Sequence, residues 1–104
     1  MRRLMEALTV TVQSLNGKHA EIVAKGEIDA STQDQLRVVL LDVIDRGATD
    51  LVVNMADVTF LDSSGLRGLI EALQLGASLT LKRLQPAVRL VFDIVEIPGL
   101  KIEP

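Results

Sequence analysis

The chain reads as a single α/β domain built on a mixed, mostly parallel sheet. An antiparallel hairpin forms its N-terminal edge and about three helices pack on it. Three observations predict this. From Ile28 onward, helix-like and strand-like patterns alternate, the order of strand–helix–strand units with right-handed crossovers. Leu51-Val52-Val53 is a short unbroken apolar run, the mark of a strand covered on both faces. Asn16-Gly17 separates two strand-like runs, a hairpin signal because both residues tolerate the positive φ of a tight primed turn.

Each element has its own reason. Leu8, Val10 and Val12 alternate with polar residues, which predicts a strand with one wet face. After the Asn-Gly turn, a second strand runs from Ala20 to Lys25 and closes with Gly26-Glu27-Ile28-Asp29. A helix is expected near Ser31, capped by Ser31 or Asp29. Leu36, Val39, Leu40, Val43 and Ile44 form its inner stripe, and Gly47 stops it. The central strand at Leu51 follows. Next, Leu66, Leu69, Ile70 and Leu73 fall at i, i+3, i+4 and i+7, one buried face of a helix that stops near Gly76. Leu79 and Leu81 alternate with polar neighbours and predict a strand. Pro86 suits the first turn of a third helix. Ala87, Leu90, Val91, Ile94 and Val95 are its expected inner face, Pro98-Gly99 its end, and residues 100–102 a last short strand.

The composition excludes several functions. A chain of 104 residues, 48% apolar, fits one packed domain over residues 1–104. Aromatics are 2%, Phe60 and Phe92 alone, which leaves little for stacking on bases or sugars. The net charge of −3 argues against direct nucleic-acid binding. Arg2-Arg3 is followed by no long apolar run, so neither a signal peptide nor membrane insertion is expected. The absence of cysteine excludes a disulfide scaffold and a thiolate metal site. The protein is expected to be soluble and cytoplasmic. The hairpin edge leaves a homodimer open.

The chemistry gathers in Asp62-Ser63-Ser64-Gly65, where an apolar run ends and an amphipathic helix begins. There the first backbone N–H groups are unpaired and the helix dipole is positive. Three polar residues in a row exceed the need of one cap, so a cap and a presented hydroxyl both stay open. Neither serine has a Glu or Gln three residues on. Gly65, Gly68 and Ala72 form a strip of small residues, for close packing or for the approach of a partner to Ser63. Asp29 is a second candidate. It ends the strand before the first helix, and topology brings it to the same carboxyl rim as Asp62, where sites in such sheets form. His19, the only histidine, lies beside the hairpin turn and far from Ser63. With no Gly-x-Ser-x-Gly pattern either, nucleophilic hydrolysis is not supported.

These residues resemble the bacterial anti-sigma-factor antagonists of the STAS domain family. The resemblance is carried by Gly26-Glu27-Ile28-Asp29, by the nine residues from Val58 to Leu66, and by Pro86-Ala87-Val88, in that order and at suitable spacing. It implies a STAS-like mixed sheet and no catalytic activity. It makes Ser63, directly after the motif aspartate, the phosphoacceptor. Asp29, Asp62, Ser64, Gly65 and Arg67 then belong to the partner-binding surface. The implied partners are an anti-sigma factor that is itself a serine kinase, and a serine phosphatase. The chain has no cofactor of its own, since ATP and Mg come with the kinase. The unphosphorylated form would bind the anti-sigma factor and free the sigma factor, and phosphorylation would end that binding. Arg67 departs from the family, where a small residue is common. It motivates the alternative, a non-phosphorylated interaction module in a stress-signalling scaffold or a lipid-transport complex.

Overall fold

The computed structural model describes residues 8–104, so Arg2 and Arg3 lie outside the described residues. The elements are β1 (Thr9–Asn16), β2 (His19–Ile28), α1 (Gln33–Asp45), β3 (Asp50–Leu61), a 3-10 turn (Ser63–Leu66), α2 (Arg67–Gln74), β4 (Ser78–Lys82), α3 (Pro86–Ile94) and β5 (Leu100–Glu103). The five strands form one sheet in the order β1-β2-β3-β4-β5. β1 and β2 are antiparallel and the other pairs are parallel. The predicted class, hairpin edge and helix number all hold.

The hairpin turns through Gly17 and Lys18, because Asn16 still pairs with His19. Only Gly17, at φ +60°, is left-handed there. A positive φ at the first loop residue alone is the pattern of a type II′ turn, so the turn sits one residue later than the Asn-Gly signal suggested. β1 carries an irregularity between Val12 and Ser14. Such a bulge swaps the faces of the residues beyond it. Beyond it Leu15 packs towards the core, while Val12, at the irregularity itself, is exposed.

The core lies between the sheet and the helices. Ala20, Ile22, Ala24 and Ile28 of β2, Leu51, Val53 and Met55 of β3, and Leu79 and Leu81 of β4 are fully buried. They meet Leu36, Leu40 and Val43 of α1, Leu69 and Ala72 of α2, and Val88 of α3. Thr80 is buried as well, so β4 is covered on both sides.

Two helices turn differently from their predicted faces. In α2, Ile70 is outside, at 37% exposure, while Gly68, Leu69 and Ala72 are buried. The cause is α1: Gly68 packs against the Arg37 backbone, which rotates the buried face towards α1 and leaves Ile70 at the surface. In α3 the inner residues are Val88, Val91, Phe92 and Val95. Leu90 and Ile94 are 60% and 85% exposed. Residues 87–95 contain two overlapping apolar stripes, and the stripe holding the bulky Phe92 is the one buried. That helix also ends at Ile94, before Pro98-Gly99.

Candidate functional site at the carboxyl ends of the two central strands

Register builds the site. β2 and β3 are parallel neighbours, and Ile28 pairs with Leu61 where both end. The next residues are Asp29 and Asp62, side by side on one rim. The Asp62 N–H donates to the Ile28 carbonyl at 3.3 Å and ties the two loops together. Segments more than thirty residues apart therefore meet there, as the topology predicted.

The cap and the hydroxyl belong to different residues. Asp62 is extended, at φ −116° and ψ 178°, and caps the 3-10 turn by accepting the Ser64 N–H at 3.0 Å. The Ser64 hydroxyl donates to the same carboxylate oxygen. Asp62 and Ser64 thus satisfy each other, as a helix start requires. Ser63 is exposed, and its hydroxyl has no hydrogen bond among the described residues. The sequence offered two serines, and geometry leaves one of them unengaged.

Asp29 organises the neighbouring loop. Its Oδ1 accepts the Ser31 N–H at 2.9 Å, the Ser31 hydroxyl at 2.7 Å and the Thr32 N–H at 3.1 Å. These bonds, the Ser31 hydroxyl foremost, hold its carboxyl below the usual range. The Thr32 hydroxyl accepts the Asp29 N–H at 3.0 Å and donates to the Glu27 carbonyl at 2.7 Å. Because residues 29–32 close this turn on themselves, α1 starts at Gln33, two residues after the expected Ser31. All of these Asp29 bonds use Oδ1, and Oδ2 has no partner among the described residues.

The small residues are packing devices. A methyl on Gly65 would stand 2.6 Å from Ile28 Cγ2, 2.8 Å from Leu61 Cδ1 and 3.1 Å from the Ile28 carbonyl oxygen. Gly65 is buried and turned towards the strand ends. Of the two roles the sequence left open, close packing is met here: Gly65 seats the loop that carries Ser63. A methyl on Gly68 would lie 3.0 Å from the Arg37 Cα. There the close approach brings α1 and α2 together, and Arg37 reaches Glu71 through two bonds of 2.6 and 3.1 Å. Glu71 is held below its ordinary range, chiefly by the Arg37 hydrogen bond, and Arg37 is raised by the same contact.

Between the loops and the paired helices runs an open groove of about 650 Å3, lined by Gln33, Ser63, Ser64, Arg67, Ile70 and Glu71 among others. Arg67 is exposed one turn beyond Ser63. The side-chain oxygen of Gln33 is buried with no hydrogen-bond partner among the described residues. His19 pairs with Asp50 at 3.0 Å. It begins β2, which puts it roughly 30 Å from the rim at strand rise, so no triad with Ser63 forms. No group of three His, Asp or Glu that could hold a metal occurs among the described residues.

A family model described as Mlab, STAS domain matches residues 11–101. The chain belongs to the STAS domain family. Solved structures agree on the fold. An anti-sigma factor antagonist from Mycobacterium paratuberculosis aligns with a TM-score of 0.82 at 21% identity, over 97% of this chain and 91% of that one. The anti-sigma factor antagonist SpoIIAA in its unphosphorylated form gives 0.72 at 23%, over 90% and 87%. The Bacillus cell fate determinant SpoIIAA in the phosphorylated form gives 0.67 at 20%, over 90% of each chain. No curated protein matches the sequence. In this STAS domain the groove residues Gln33, Ile70 and Glu71 were not singled out in the sequence. Ile70 had been assigned to the core. Gln33 and Glu71 carry no local signal, since only the packing of α1 on α2 brings them beside Ser63. No helix among the described residues is long and apolar enough to cross a membrane.

Proposed function

We propose that this STAS domain is an anti-sigma-factor antagonist whose docking surface is the Ser63 rim, with Ser63 as a phosphoacceptor that switches binding off. One observation carries the reading: Asp62 and Ser64 are bonded to each other, and the adjacent Ser63 hydroxyl is exposed and unengaged. A kinase needs such a group. The Ser63 Oγ would attack the γ-phosphorus of ATP brought with Mg by the anti-sigma kinase. The new O–P bond forms as the bond to ADP breaks, and the hydroxyl proton passes to a base on the kinase. The chain itself supplies no catalytic group, and a serine phosphatase would reverse the step.

The switch follows from charge. Phosphate adds about −1.5 to −2 charges at neutral pH, beside Asp62 and on the rim that carries Asp29. Like charges facing across an interface cost on the order of several kcal/mol, and about 3 kcal/mol is already more than a hundredfold in affinity. The unsatisfied Gln33 oxygen and exposed Ile70 also suit a docking face, since a partner N–H and apolar group would cover them. The test is affinity for the anti-sigma kinase. Ser63→Ala should bind about as well as the wild type and Ser63→Asp far more weakly. Equal affinities would refute charge as the switch.

A second reading keeps the docking surface and drops the phosphate. The domain would then be a constitutive module of a stress-signalling scaffold or a lipid-transport complex. Arg67 favours it, because a cation beside Ser63 offsets added charge. The matching family model is also described by Mlab, not by a sigma regulator. Recovery of a transporter ATPase or a scaffold in a pull-down, with no sigma regulator, would select this reading.

A further inference from the structure

Arg67 follows Ser63 by four residues, and both side chains line one groove. Residues at this spacing are neighbours on a helical surface. The arginine's own carboxylate four residues further on would be Glu71. Arg37 from α1 already occupies both oxygens of that group. On the other side, one oxygen of Asp62 accepts both the N–H and the hydroxyl of Ser64. Arg67 forms no ion pair among the described residues. Arg67 thus acts on Glu71 through charge alone, and its guanidinium shares the groove with the unengaged Ser63 hydroxyl.

We infer that Arg67 is an internal clamp for phosphate on Ser63. This deepens, and rests on, the reading of Ser63 as a phosphoacceptor. The planar guanidinium fork matches two phosphate oxygens. In the unphosphorylated protein Arg67 faces outward, available to an acidic group on the partner. Phosphate draws it back onto α2. The pairing neutralises part of the added negative charge, and it takes from the docking face the free cation that a partner carboxylate would use.

The clamp can be tested without any partner. Phosphoserine is installed at position 63 during synthesis, and its second ionisation is followed by phosphorus NMR in the otherwise wild-type protein, in Arg67→Gln and in Arg67→Lys. Asp62 and Asp29 on the rim and the Arg37–Glu71 pair across the groove also face the phosphate. They are unchanged among the three proteins, so differences isolate Arg67. The clamp favours the dianion. The ionisation should fall below that of Arg67→Gln by about half a pH unit, roughly threefold in the constant. Arg67→Lys should lie between the two, and added salt should shrink the difference. Coincident titrations of wild type and Arg67→Gln would overturn the clamp. Because the phosphate is placed synthetically, that result would leave the phosphoacceptor reading standing. A Ser63 that no kinase modifies would defeat that reading, whatever the titration gives.

Discussion

Substituting Gly65 by Ala places one methyl group where β2, β3 and the Ser63 loop meet. Its carbon would sit 2.6 Å from Ile28 Cγ2 and 2.8 Å from Leu61 Cδ1. Both side chains belong to the core, so neither can swing into solvent. It would also press on the Ile28 carbonyl oxygen at 3.1 Å, the acceptor of the Asp62 N–H. Relief by backbone movement thus strains the hydrogen bond that joins the two loops. Overpacking of this kind costs about 1–3 kcal/mol. Ala restores up to roughly 1 kcal/mol through its better helical propensity. From the middle of the overpacking range, about 2 kcal/mol, the net loss is about 1–2 kcal/mol, and at about 4–8 °C per kcal/mol for a domain of this size the melting temperature should fall by roughly 4–16 °C. Thermal unfolding followed by circular dichroism measures it. A melting temperature equal to or above the wild type would show that Gly65 is not there for close packing.

Other substitutions separate the neighbouring roles. Asp62→Ala removes the cap and should cost about 1 kcal/mol in urea unfolding, whereas Ser63→Ala should stay within about 0.5 kcal/mol; a reversed order would contradict the division between cap and free hydroxyl. Asp29 and Glu71 are both held below their ordinary range when folded. Their stabilisation is therefore complete above that range and is lost as pH falls through the folded values. Arg37→Gln should flatten the acid side of a urea-midpoint profile between neutral and strongly acidic pH, and an unaltered profile would remove the ion pair from the account. Ile70→Glu should leave the fold intact, because Ile70 is outside the core, yet weaken partner capture; a loss of stability comparable to a core substitution would return Ile70 to the buried face.

The sequence foretold most where the signal was local or topological. Alternating patterns gave the sheet and its parallel core. The same order placed Asp29 and Asp62 on one rim, and the Ile28–Leu61 pairing bears that out. Gly47 and Gly76 are left-handed just after the helices they were expected to stop. Faces were less legible. Residues 87–95 are apolar nearly all round, so periodicity could not choose between stripes differing by one position. Ile70 looked like core because its spacing matched Leu66 and Leu69, but the approach of Gly68 to Arg37 set the rotation of α2, and that contact is long-range. Likewise, nothing local distinguishes Ser63 from Ser64. The choice depends on which hydroxyl the Asp62 carboxylate reaches.

Intact mass and site mapping of the protein, incubated with its anti-sigma kinase and ATP, tests the central claim most directly. The account predicts one phosphate, on Ser63, abolished by Ser63→Ala and retained in Ser64→Ala. Phosphate on Ser64, or none at all, would contradict it.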